Sequence, residues 1–295
     1  MIQVNDLTQQ FSNDKGIFDV SFEVHKGEVF GFLGPNGAGK STTIRHLMGF
    51  MKPQRGFSSI NGVNCWEDQG KARSYVGYLP GEISFLEGMS GMEFINMMAG
   101  MQNIKDYRKR DELIERLQFD PKTPIRKMSK GMKQKIGIVV TFMHDPEIFI
   151  LDEPTSGLDP LMQKTFIDIV LEEKEKGKTF LMSSHSFAEI ERTCDRAAII
   201  KDGRIITVKD IHQLQSMQRK IFEITFVHEN DIERLTASGL TVDVIRNGVA
   251  RVVIQGNYND LIKELGNYDI TNMSISNQSL EEIFMNYYDS KGGIK

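Results

Sequence analysis

Gly34-Pro35-Asn36-Gly37-Ala38-Gly39-Lys40-Ser41-Thr42 fits the pattern G-x-x-x-x-G-K-[ST] at every fixed position. Glycines let the backbone bend so that successive N–H groups face phosphate oxygens. Lys40 supplies a point charge for β- and γ-phosphates, and the Ser41 hydroxyl is placed to ligate Mg²⁺. The helix that follows turns its positive end to the same anion. The flanks agree with this reading. Residues 28–33 read as a short apolar strand, and 41–48 as a helix that Gly49 ends. Strand, glycine loop and helix is the order that phosphate binding needs.

Working outward, residues 147–151 are apolar except for Glu147 and lead directly into Asp152-Glu153. Such runs suit parallel strands buried on both faces. Carboxylates at the carboxyl end of one stand where open α/β sheets hold ligands. Asp152 is placed to hold Mg²⁺, directly or through water. Glu153, one residue on, is placed to orient or deprotonate a water. His185 follows the strand-like residues 179–183 at the same sheet edge, a position for a phosphate contact. Phe11 sits in a polar, turn-like stretch, 9–13. Its ring can stack on a nucleobase or pack against the protein, and the residues leave both open.

A chain of 295 residues is long enough for two domains. Its net charge of −4 argues against non-specific nucleic-acid binding, and no nucleic-acid partner is expected. Cys65 and Cys194 are far apart and match no metal spacing, which implies reduced thiols in a cytosolic protein. The strand-like start, 2–7, implies no secretory signal. Apolar runs such as 136–143 are too short to span a bilayer, so any membrane task needs another chain.

Residues 82–145 change character and read as a helical insert. Ser90-Gly91-Met92-Glu93 is a capping-box pattern. Met89, Met92, Met97, Met98 and Met101 fall in or just before that helix and suit either core packing or an adaptable surface for a partner helix. A second helix covers 106–117, and after Pro121 and Pro124 a third starts near Ser129. Asn61-Gly62 and Lys201-Asp202-Gly203-Arg204 are hairpin signals.

Over about residues 1–215 the chain resembles the ATP-binding subunit of an ABC (ATP-binding cassette) transporter. Residues 34–42 match its Walker A loop, and 148–153 its Walker B strand with Glu153 as the catalytic glutamate. Met128-Ser129-Lys130-Gly131-Met132 looks like the signature motif, Ser156-Gly157-Leu158-Asp159 like the D-loop, and His185 like the switch histidine. Phe11 corresponds to the aromatic that stacks on adenine. The resemblance implies an α/β P-loop cassette, a mixed-sheet core with an inserted helical subdomain, over 1–214. It implies that two copies sandwich two Mg-ATP molecules, with Ser129, Gly131 and Asp159 at the nucleotide. It further implies a Mg-dependent ATPase on the inner face of the cell membrane, driving a separate permease, an exporter. The alternative, a soluble cassette ATPase acting on ribosomes or nucleic acid, usually carries two cassettes or basic inserts in one chain, which this sequence lacks.

Two departures stand out. Lys130 and Met132 replace the first Gly and the Gln of the usual Leu-Ser-Gly-Gly-Gln, and the Q-loop glutamine falls at Gly81. Beyond the cassette, residues 215–295 read as β-α-β-β-α-β-α, which suggests a small α+β ferredoxin-like domain. Asn247-Gly248 marks its hairpin, and a Ser-x-x-Glu start marks a last helix over 279–287.

Overall fold

The computed structural model describes residues 1–12, 15–86, 88–216, 219–228, 230–246, 248–254 and 258–277. The chain divides into two units, Met1–Ile211 and His212–Lys295.

The strands of the first unit are β1 (Ile2–Ser12), β2 (Lys15–Val24), β3 (Val29–Leu33), β4 (Arg55–Ile60), β5 (Val63–Asn64), β6 (Val76–Leu79), β7 (Ile148–Asp152), β8 (Thr179–Ser184), β9 (Arg196–Lys201) and β10 (Arg204–Asp210). An antiparallel sheet has the order β2-β1-β4-β5. A six-stranded sheet has the order β10-β9-β3-β8-β7-β6, parallel except for the β9–β10 hairpin. Its central strands β3, β7 and β8 are buried at every residue, as the apolar runs Val-Phe-Gly-Phe-Leu and Ile-Phe-Ile-Leu require. Phe142, Phe149 and Phe180 stack on one face of this sheet, with centroids 4.4 and 4.6 Å apart.

The helices of this unit are α1 (Lys40–Leu47), α2 (Gln69–Ser74), α3 (Gly91–Met101), α4 (Arg108–Arg116), α5 (Lys130–Phe142), α6 (Pro160–Glu175) and α7 (Phe187–Thr193), and α8 (Ile211–Ser216) carries the boundary into the second. α3 to α5 form the inserted arm. Ser90 Oγ accepts from Glu93 N at 3.3 Å while Glu93 Oε2 accepts from Ser90 N at 2.7 Å, so α3 opens on a complete capping box. The core of this helix is Phe94, Ile95 and Ala99. Met92, Met97 and Met98 are half-buried and Met101 is 72% exposed, so the methionines border the core rather than fill it.

One expectation needs correcting. The stretch around Phe11 is not a turn, because β1 continues to Ser12 and pairs Gln9 with Ile17, Gln10 with Gly16 and Ser12 with Lys15. Main-chain bonds to β2 carry this largely polar stretch, and three register shifts interrupt the ladder along it. Both cysteines are buried, and burial pushes the Cys65 thiol up to about 11 and the Cys194 thiol up to about 12. At neutral pH both stay as inert thiols.

The second unit contains β11 (Lys220–Phe226), α9 (Asn230–Ala237), β12 (Val242–Arg246), β13 (Val249–Ile254), α10 (Asn259–Leu265) and β14 (Ile270–Asn277). Its sheet is antiparallel, ordered β12-β13-β11-β14. Phe222, Ile224, Phe226, Ala250 and Val252 pack with Ile232, Leu235, Leu261 and Leu265 of the two helices. The expected last helix, 279–287, and Asn247 of the hairpin turn lie outside the described residues. No helix among the described residues is long and apolar enough to cross a membrane.

Candidate nucleotide site

β3 delivers the glycine loop to the carboxyl edge of the parallel sheet, and α1 leaves from it. Gly34 N donates to Ser184 O at 3.3 Å, and Gly203 N, in the β9–β10 turn, donates to Ala38 O at 3.0 Å. Gly39 has φ +111°, and a Cβ there would lie 2.6 Å from Ile17 Cγ2, so only glycine fits. The loop curls around Lys40, whose buried ammonium donates to Gly34 O at 2.7 Å and Pro35 O at 3.1 Å. Pro35, Asn36, Gly37 and Ser41 are exposed at the rim, and Thr42 is half-buried. A cleft of about 500 Å³ opens above, lined by Phe11, Gly37, Lys40, Ser41, Thr42 and Glu153 among others. Backbone amides, one buried cation and hydroxyls are the donor set that a nucleotide polyphosphate with its divalent metal requires.

Asp152 ends β7, nearly fully buried. Its Oδ1 accepts from Ser183 Oγ at 2.6 Å, and that hydroxyl accepts in turn from Glu153 N at 3.0 Å. A Cβ on Gly81 would lie 3.4 Å from Asp152 Oδ2. Position 81 therefore stands against the carboxylate with backbone alone, while Glu82 beside it is exposed.

Glu153 leaves the strand with φ +48°, a left-handed conformation that costs about 1 kcal/mol in a non-glycine residue. Strain of this kind gathers at functional sites. Here it turns the carboxylate between the Lys40 ammonium and the His185 ring: Oε1 is 3.4 Å from Lys40 Nζ, and Oε2 is 3.4 Å from His185 Nδ1. His185 is exposed just beyond β8. A carboxylate aimed at the mouth of a phosphate cleft is suited to take a proton from water.

Ser129, Gly131 and Asp159 stand apart from that cleft. Ser129 caps α5, its Oγ accepting from Met132 N at 3.2 Å. Asp159 caps α6, its Oδ1 accepting from Met162 N at 3.0 Å. Gly131 lies against the 154–159 loop, where a Cβ would meet Gly157 O at 2.5 Å. None of the three lines the Lys40 cleft of its own chain.

Sequence reading missed Ser183 and Glu189. Glu189 is buried on α7, and Ser184 Oγ donates to its Oε2 at 2.6 Å. Burial raises its carboxyl above the ordinary range, against the opposing pull of Ser184. Its place three residues after the helix cap Ser186, a Ser-x-x-Glu spacing, is the signal that points to it.

Phe11 is 57% exposed at the rim of the cleft, an open platform rather than a core residue. Phe11→Ala is expected to weaken ATP binding by about 1–3 kcal/mol. Titration of a fluorescent ATP analogue measures it, and unchanged affinity assigns the ring to packing.

The model of the ABC transporter family matches residues 17–156. The bacitracin transport ATP-binding protein BcrA of Bacillus licheniformis is 32% identical over 295 residues, covering 97% of this chain and 96% of the relative. An uncharacterized ABC transporter ATP-binding protein of Methanocaldococcus jannaschii is 37% identical over 70% of this chain and 76% of its own length. Among solved structures, an ATP-binding subunit of an ABC transporter superposes with a TM-score of 0.65 at 32% identity, over 73% of this chain and 92% of that one. A dimeric ATP-binding cassette in a post-hydrolysis state, bound to ADP and Pi, has the same fold, with a TM-score of 0.64 at 19% identity over 72% of this chain and 99% of that one.

Proposed function

Since this chain belongs to the family of ABC transporter ATP-binding proteins, we propose that it binds and hydrolyses Mg-ATP as one half of a dimer that powers a separate membrane permease. The observation that carries the reading is the Glu153 carboxylate held between Lys40 and His185 at the mouth of the glycine-loop cleft. Lys40 and backbone amides of the glycine loop hold the phosphates, Ser41 and Asp152 hold Mg²⁺, and Phe11 carries the adenine. Glu153 takes the proton of the attacking water while His185 orients the γ-phosphate. Ser129, Gly131 and Asp159 lie outside their own chain's cleft and serve the nucleotide of a second copy.

The direction of transport is export, a reading supported by relatives whose names place them in bacitracin and multidrug transport. The chain works at the cytoplasmic face, attached through the permease. A groove of about 710 Å³ on the inserted arm, lined by Ile83, Phe85, Leu86, Met89 and Ile125 together with Arg126 and Lys133, receives a helix of that membrane chain. Met89→Glu puts a charge into this groove and leaves the Lys40 cleft untouched. Soluble ATPase activity is expected to survive and transport in cells to fall to background. Undiminished transport would remove the groove from the coupling path.

A further inference from the structure

Lys130 is a departure from the usual signature sequence, and the function proposed above gives it no task. Its side chain is engaged within its own chain. The stem runs across Gly157, where a Cβ would lie 3.0 Å from Lys130 Cγ and 3.1 Å from Lys130 Cδ. The ammonium donates to Ser156 Oγ at 2.7 Å. One turn further along α5, the buried Gln134 donates its Nε2 to Pro154 O at 2.8 Å. Residues four apart share a helix face, so one face of α5 holds the segment 154–157 at two points. That segment leads directly from Glu153, and Ser156 N closes the turn by donating to Glu153 O at 3.1 Å.

The two ties differ in kind. Gln134 is an interior bond of the fold. Lys130 sits in the first turn of α5, where the positive helix end disfavours a cation. The bond to Ser156 Oγ and the contact with Gly157 offset that cost. Glycine in place of Lys130 would offer neither.

We propose that Lys130 is a positioning residue for Glu153. It ties the Ser129 end of α5 to the turn that aims the catalytic carboxylate, so a movement of that helix end reaches the base through Ser156. The proposal rests on the hydrolytic role given to Glu153 above.

The test compares Lys130→Met, which keeps the stem and removes the ammonium, with Lys130→Arg, Ser156→Ala and the Lys130→Met/Ser156→Ala double variant, all in the full chain. Lys130→Met and Ser156→Ala are each expected to lower kcat by about three- to tenfold, the scale of one exposed charge-assisted bond. The ATP concentration at half-maximal rate should move less than about twofold, because the Lys40 cleft is untouched. The double variant should be no slower than the slower single, and Lys130→Arg should restore most of the rate. Losses that multiply in the double variant, a native rate in Ser156→Ala, or an effect on half-saturation alone would each overturn the proposal. A Glu153→Gln control separates the two levels. If that variant turns over at the native rate, the base assignment falls and the tether with it. If it is inactive and Lys130→Met is not impaired, the tether alone falls.

Discussion

Glu153→Gln lowers ATP turnover by about two to four orders of magnitude at saturating ATP, the usual contribution of a positioned general base. The amide keeps the outline of the side chain, and the backbone bond from Glu153 N to Ser183 Oγ remains. What disappears is an oxygen able to take a proton from water. The carboxylate also sits 3.4 Å from Lys40 Nζ, so its neutralisation frees the ammonium for phosphate. Nucleotide affinity is therefore expected to hold or rise while phosphate release stops. Equilibrium binding and phosphate release measured on the same preparation check both halves. Native phosphate release would exclude Glu153 as the base.

The second large effect comes from mixing two defective chains. Lys40→Ala removes the buried cation of the phosphate loop, and Ser129→Arg blocks the cap of α5. Each homodimer is expected to occlude almost no nucleotide. If Ser129 acts on the partner's nucleotide, a heterodimer of the two variants has one site with both lesions and one site intact. Two-tag purification isolates it, and about one occluded ATP per heterodimer is expected. If Ser129 serves its own chain, both sites carry a lesion and occlusion stays near zero. The geometry favours the first outcome, because Ser129 and Lys40 share no cleft within one chain. In a two-fold pair the same two surfaces meet twice. Occlusion is a better readout than turnover, since hydrolysis can require both sites to be filled.

The residues legible in the sequence are those whose role is written in short spacing. The glycine loop, the Asp152-Glu153 step at a strand end and the helix start near Ser129 depend on neighbours within a few positions. Glu153's grip on Lys40 and His185 depends on sheet order, which brings β3, β7 and β8 side by side from distant parts of the chain. Ser183 enters the site only because β7 and β8 pair Asp152 with it. The largely polar composition of residues 9–13 reads as a turn, yet main-chain bonds to β2 hold residues 9–12 in a strand whatever their side chains. α2 escaped notice because it is only six residues long, though Asp68 caps it by accepting from Lys71 N at 3.2 Å. Methionine suits core and surface alike, and only the placement of Phe94 and Ile95 inside the arm shows that these methionines border the core.

The strand that carries the phosphate loop has its neighbours late in the chain. β3 ends at Leu33, but its partners β8 and β9 span 179–201, with the whole inserted arm between. A ribosome that adds about 5–20 residues per second needs on the order of ten to thirty seconds to make that interval. Throughout it, Val29-Phe30-Gly31-Phe32-Leu33 is a finished apolar strand with neither edge paired. The nascent chain thus passes through a window in which one of its fully buried strands is open to misassembly and needs shelter. Nucleotide cannot provide that shelter, because the cleft does not exist until β8 and β9 have emerged to brace the loop.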